Sequence, residues 1–359
     1  MKYTFPYWGN YTIAIKALLE KFGADFIPPQ RTTIRDIEEG SEISPDLFCF
    51  PFKVNMGNYL DAIRRGADKI VMVENVRGSC RLRYYGEIQK KALAEAGHQI
   101  DLLPLRTSLL GIYQAFRELS QEGSVLKILS ALYFSNKKLK LIEKLEKKAN
   151  YLRPREKNKG EVSKVFKEAM EKIDAAKTNK EFFQAKKEVL RRFKKIDIWD
   201  KDLPKIGLIG EIYVVSDESV NQGIEEKLAR EGIEVHRDMN LSYHINKSLI
   251  PWKNWWIQKK AKPYLKSDVG GHGIDAVYEM LNYSKKNYNG VIQLLPLGCM
   301  PEITVRPILE KIHQQNNIPF LSLSLDEQVA DTGFQTRIEA FAEVVKTHFE
   351  KQKKKKTKK

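Results

Sequence analysis

The 359-residue chain is poor in cysteine: Cys49, Cys80 and Cys299 are all it has. An odd number leaves no complete disulfide pairing, and wide spacing in a reducing compartment points away from disulfides altogether. There is no CxxC pair, and 30 and 218 residues separate successive cysteines, so no local zinc or iron–sulfur motif is present. Apolar runs of the ~18 residues that a membrane helix needs are also missing, so a spanning role is excluded and no membrane partner is expected. The start, Met1-Lys2-Tyr3-Thr4-Phe5-Pro6-Tyr7-Trp8, carries no signal core or small-residue cleavage site, so a cytoplasmic chain is expected. Gly207 and Gly210 complete neither a Walker loop nor a dinucleotide fingerprint.

Charge is abundant but localised. The formal net charge is +16; residues 106–200 hold 24 Lys/Arg against 13 Asp/Glu, and the tail Lys351 to Lys359 adds seven lysines. The rest of the chain is therefore close to neutral, including every stretch that bears a cysteine. A basic helical face and a solubilising tail explain this better than nucleic-acid binding, although a phosphate-rich or acidic partner fits the same charge. The tail, 348–359, is too short and uniform to pack and reads as disordered.

Periodicity divides the chain into parts. Residues 1–105 alternate strand and helix patterns: a strand near Lys2 to Phe5, a helix over Tyr11 to Phe22, and a strand-like run ending at Cys49. A helix over Asn55 to Arg65, a strand from Lys69 to Glu74, a helix over Leu82 to Ala96 and a strand over Gln99 to Leu103 follow. Residues 106–204 form the basic helical segment: from Arg106 to Asp200 only helical spacing shows, with Pro154 the single interruption. Residues 205–347 resume the alternation: a strand over Ile206 to Val215, a helix over Val220 to Glu231 and a short strand over Ile233 to His236. An irregular aromatic stretch over Leu241 to Ser267 comes next, then a helix over Ile274 to Lys286 and a strand over Gly290 to Leu295. A helix over Ile303 to Gln315, a strand over Ile318 to Leu325 and a helix over Gln335 to Glu350 close the part. The fold expected is α/β, with two Rossmann-like parallel-sheet domains, a basic helical insert and a cleft between the domains.

The cysteines stand where predicted strands give way to loops or helix starts, and ligands of α/β sheets collect outside the carboxyl ends of strands. Cys49 follows Leu47-Phe48, Cys80 follows the turn Arg77-Gly78-Ser79, and Cys299 follows Gly298 just before Pro301. Three thiolates brought there could hold a metal or an iron–sulfur cluster. Arg81 beside Cys80 and Lys53 near Cys49 supply positive potential that favours thiolate. Inert core thiols are the plain alternative, because free cysteine is among the most buried residue types. His272, on the turn Gly270-Gly271-His272-Gly273, offers a fourth ligand and a Cys3His zinc site, but structural zinc ligands come as close pairs. The same turn could approach a phosphate. Trp252, Trp255 and Trp256 fit core packing or a lid better than a base-stacking platform.

Three blocks carry a resemblance that spacing cannot supply: Cys49-Phe50-Pro51-Phe52-Lys53 with Gly57-Asn58-Tyr59, Gly78-Ser79-Cys80-Arg81 with Tyr84-Tyr85-Gly86-Glu87, and Leu295-Pro296-Leu297-Gly298-Cys299-Met300-Pro301-Glu302. With Gly207 to Tyr213, Gly270 to Gly273 and Ser324 to Glu327, they resemble the family related to the D component of 2-hydroxyacyl-CoA dehydratases, often labelled activase-related. The likeness covers both α/β parts and fades across the basic segment. It implies a [4Fe-4S] cluster held between two domains by Cys49, Cys80 and Cys299; by their position beside the cysteines, Lys53 and Arg81 would hold the cluster's negative charge and raise its potential. It implies an electron from an ATP-dependent activase of the actin/Hsp70 type, passed to an acyl-CoA thioester to form a ketyl radical that expels hydroxyl, in strictly anaerobic metabolism. Dehydratases of that family work as heterodimers, and a homo- or heterodimer is the candidate assembly for this chain. By position, Glu302 and Glu211 are the candidate acid/base groups; a carboxylate near a helix start can equally be a dipole partner.

The activity expected is that of a 2-hydroxyacyl-CoA dehydratase-like lyase or a low-potential reductase. The alternatives are an electron-relay or maturation protein with no substrate of its own, and a basic phosphate- or nucleic-acid-binding module.

Overall fold

The computed structural model describes residues 1–74, 80–106, 109–120, 124–328 and 331–357. The turn Arg77-Gly78-Ser79 lies outside them. Two parallel sheets organise the chain. Strands β1 (Tyr3–Thr4), β2 (Lys69–Glu74) and β3 (Asp101–Arg106) form the first in the order β1-β2-β3. Strands β4 (Lys205–Gly210), β5 (Glu234–His236), β6 (Gly290–Pro296) and β7 (Phe320–Leu325) form the second in the order β5-β4-β6-β7.

Both faces of each sheet are covered, as parallel strands require. On β2, Ile70 and Met72 face a core with Phe52, Met56 and Tyr59 of helix Phe50–Arg64, whereas Val71 faces Leu19 and Phe22 of helix Thr12–Phe22. In the second sheet, Ile206, Leu208, Ile292 and Leu294 pack against Ile338, Phe341 and Val345 of helix Asp331–Thr357. Ile209 and Val291 pack the opposite way, on helices Gly273–Lys285 and Met300–Asn316. Helices Leu109–Leu119, Val125–Leu152, Glu161–Ala175 and Asn179–Lys194 fill the segment between the sheets.

Four readings of the sequence are corrected here. No strand ends at Cys49; helix Ile34–Glu42 precedes it, and Cys49 opens helix Phe50–Arg64. The apolar run after Lys205 breaks at Gly210 (φ +138°), where any Cβ would stand 2.2 Å from the Leu294 carbonyl, and Ile212–Ser216 turns into a helix. The aromatic stretch after Met239 is two helices, Leu241–Leu249 and Pro251–Ala261. Asn240 caps the first, accepting from the Tyr243 amide at 2.8 Å, and Pro251 starts the second, where its missing N–H costs nothing. The lysine-rich stretch continues the last helix to Thr357. Lysine is a good helix former, and cations suit a helix C-terminus.

Polar side chains join the parts. Arg237 of the second half reaches Glu146 of the helical segment at 2.6 Å, both buried. The Tyr213 hydroxyl donates to Asn58 Oδ1 (3.1 Å), Asn58 Nδ2 donates to Thr32 Oγ1 (3.2 Å), and the Thr32 hydroxyl donates to Asp217 Oδ2 (3.0 Å). Burial pushes Asp217 up to about 6, against the pull of the Ser219 amide and the Thr32 hydroxyl. A carboxyl raised in the folded state favours folding while it is protonated, and that advantage is lost as pH climbs through the folded value. Asp217 should therefore cost roughly 3 kcal/mol of stability between pH 4 and 7. Asp217→Asn is expected to flatten the fall across that window in denaturant unfolding at the two pH values; an unchanged fall would place its origin elsewhere.

Candidate metal centre

Each cysteine immediately precedes a helix. Cys49 and Cys299 are extended residues ahead of helices Phe50–Arg64 and Met300–Asn316, whose first turns contain Pro51 and Pro301. Cys80 is extended ahead of the 3-10 turn Arg81–Tyr84. The structure brings the three loops together. The Phe50 amide donates to the Leu297 carbonyl at 3.0 Å. Gly298 (φ +75°) lies so close to the Cys49 backbone that a Cβ would stand 3.2 Å from Cys49 Cα. The Arg81 guanidinium donates to the Leu47 carbonyl at 2.8 Å and to the Gly298 carbonyl, with its carbon 5.0 Å from the Phe48 ring centre. One side chain next to Cys80 thus ties the loops of Cys49 and Cys299 to each other. On the remaining side, a Cβ at Gly271 (φ +52°) would be 3.7 Å from Cys80 Sγ.

Cys49 and Cys299 share one apolar cluster with Phe52, Tyr59 and Tyr85, while Cys80 is half-buried. The Tyr85 hydroxyl hydrogen-bonds Cys49 Sγ. Burial pushes the Cys49 thiol up to about 11, and raises Cys80 and, much further, Cys299. Amides of Phe52, Leu82 and Glu302 in the following turns favour the thiolates but are outweighed. Glu211 raises all three, Cys80 raises Cys49, and Cys49 raises Cys299: these groups share one electrostatic neighbourhood. Buried thiols so placed ionise only when a cation replaces their protons, which is what a metal does.

Among the described residues, no three His, Cys, Asp or Glu side chains gather tightly enough for a single metal ion. One zinc at ~2.3 Å from sulfur would need thiolates roughly 4 Å apart. His272 is also turned from such a role: its ring packs on His244 at 4.4 Å, and its Nδ1 faces the Ile212 amide (3.5 Å) and Glu211 Oε1 (3.7 Å). Burial lowers His244 to about 3 and holds His272 well below its ordinary value, so both are neutral. A polynuclear cluster asks less convergence, because each thiolate binds a different iron. The soft donor set and the shared neighbourhood fit that group.

The basic and acidic candidates separate. Lys53 is in an ion pair with Glu327, so its charge is already matched. Arg81 lowers Cys80 slightly and mainly clamps carbonyls. Glu211 Oε2 accepts from the Val214 amide at 3.1 Å, capping helix Ile212–Ser216, and burial raises it to about 7. Glu302 is fully buried and raised to about 8; its Oε2 accepts from Gln293 Nε2 at 2.8 Å, while Oε1 has no partner among the described residues. Tyr85, His244 and Gln293 entered only with the structure. Tyr85 stands in a quoted motif block, yet nothing in its spacing points it at Cys49.

The family model of 2-hydroxyglutaryl-CoA dehydratase, D-component, matches residues 124–345. The chain belongs to this family. The D-component match includes Cys299, Glu211 and Glu302 and takes in most of the helical segment, where motif likeness is faint; Cys49 and Cys80 lie before it. No curated protein matches the chain.

Proposed function

We propose that the chain is a dehydratase-like subunit that holds a [4Fe-4S] cluster on Cys49, Cys80 and Cys299 and uses it on an acyl-CoA substrate. An ATP-hydrolysing activase supplies the electron, in the cytoplasm of an anaerobic cell. The observation that carries this reading is the Arg81 clamp, which joins three cysteine-bearing loops from distant parts of a D-component family chain. When bound, a cluster with three thiolate ligands supplies one-electron chemistry at an iron open to substrate. The chain's own residues do the rest. Phe48, Phe52 and Tyr85 exclude water from the thiol side. Glu302 keeps a proton at neutral pH, because its carboxyl is raised to about 8, and serves as the acid. Glu211, near 7, is poised to exchange a proton at Oε1 beside His272.

Iron and acid-labile sulfide assays on anaerobically purified chain test this directly. About four of each are expected, with an EPR signal after dithionite that shifts when acyl-CoA is added. Iron-free protein after anaerobic reconstitution, or one zinc per chain, would overturn the reading; a signal indifferent to acyl-CoA would move it to electron relay. Tyr85 donates a hydrogen bond to a ligand sulfur, and such bonds stabilise the reduced, more negative cluster. Tyr85→Phe is expected to lower the midpoint potential by on the order of tens of millivolts in an EPR-monitored redox titration. An unmoved potential would mean that the hydroxyl only packs.

A further inference from the structure

Helix Pro251–Ala261 turns only Ile257 and Ala261 fully inward, and leaves Trp252, Trp255 and Trp256 at 67%, 53% and 50% exposure. Residues 239–267 contain six lysines and no aspartate or glutamate. Lys247 is engaged with Asp275 at 2.7 Å; Lys253, Lys259, Lys260, Lys262 and Lys266 have no ion pair among the described residues. Exposed tryptophans interleaved with unmatched lysines mark a surface made to be covered, since each indole buries ~150–250 Å² when it finds a partner.

The shape and charge select the partner. Lys259 Nζ sits 4.7 Å from the Trp255 ring centre and 5.5 Å from that of Trp256, and the two rings stand at 80°. Ring faces already covered by an ammonium are poor platforms for a nucleic-acid base. A second copy of the chain would bring lysines against lysines. Protein hot spots sit in desolvated pockets, whereas this helix is solvent-exposed around most of its circumference, a ridge rather than a groove. A ridge of tryptophan and lysine suits a deformable layer: indoles favour the headgroup level, and lysines reach anionic phosphates.

We propose that helix Pro251–Ala261 docks on an anionic lipid bilayer, lying in the headgroup layer with Trp252, Trp255 and Trp256 inserted. This is surface attachment only; among the described residues no helix is long and apolar enough to cross a membrane. The proposal does not rest on the cluster.

The test is co-sedimentation of the full chain with phosphatidylglycerol/phosphatidylcholine vesicles and with phosphatidylcholine alone, alongside tryptophan fluorescence. Binding to the anionic vesicles, a blue shift and quenching by brominated lipid are expected in the native chain. Trp252→Ala/Trp255→Ala/Trp256→Ala should lose sedimentation, and each of Lys253→Gln and Lys262→Gln should weaken it about fivefold. No sedimentation with anionic vesicles at low salt overturns the proposal. So does equal binding to neutral vesicles, or binding without quenching by brominated lipid, which would place the contact on the lysine-rich C-terminus instead.

Discussion

Serine in place of Cys80 is expected to leave a folded chain with less than about one iron, against the roughly four that the proposed cluster predicts for the native chain. The same loss is expected for Cys49→Ser and Cys299→Ser, but the cost in stability should differ among the three. Cys80 is half-buried, so its serine keeps access to water and changes apo-protein stability little. Cys49 is buried against the Tyr85 hydroxyl, which remains available to a serine. Cys299 is buried in the same cluster and, among the described residues, has only the Glu302 amide of the next turn against it and no hydroxyl, so a serine there should cost more than at Cys49, about 1–3 kcal/mol. Ligands predict equal iron loss with unequal destabilisation; inert core thiols predict that any iron lost follows destabilisation. Iron assays beside denaturant unfolding of the three apo-variants separate the two. Iron retained by any one variant removes that cysteine from the site.

Much of the fold is legible in the residues, because parallel strands buried on both faces read as apolar runs: β2 and β7 stand within the runs that announced them, and β4 and β6 each begin or end one residue outside theirs. What periodicity does not convey is where a run stops. The run after Lys205 ends at Gly210 because the Leu294 carbonyl occupies the space of a side chain, a tertiary fact invisible along the chain. Helices Leu241–Leu249 and Pro251–Ala261 were obscured by aromatic residues that bury little, although Asn240 and Pro251 signalled their starts. At the site, the place of each cysteine at an element boundary was readable. Partner choice was not: Lys53 meets Glu327, Arg81 meets two carbonyls, and Tyr85 meets Cys49, each set by geometry between distant segments.

Gly57→Ala is expected to cost about 3 kcal/mol or more and to empty the proposed metal centre without touching a proposed ligand. Helices Ile34–Glu42 and Phe50–Arg64 cross backbone to backbone at Gly40 and Gly57. A Cβ at Gly57 would fall 1.7 Å from the Asp36 carbonyl oxygen, and one at Gly40 would fall 2.1 Å from that of Lys53. No rotamer relieves a clash with backbone, so the helices must separate. The gain in helix propensity, about 1 kcal/mol, is too small to offset that. Gly333→Ala is the matched control: it lies in helix Asp331–Thr357 with nothing within 4 Å of the added carbon, and should be neutral or slightly stabilising. Helix Phe50–Arg64 begins at Cys49, and its first amide is bonded to Leu297, two residues before Cys299. Moving that helix therefore shifts Cys49 against the Arg81 clamp and against Cys299. Denaturant midpoints together with iron content check the chain of effects. A Gly57→Ala protein with native stability would show that the crossing has slack, and one that is destabilised yet fully loaded with iron would show that Cys49 is held in place by the clamp alone.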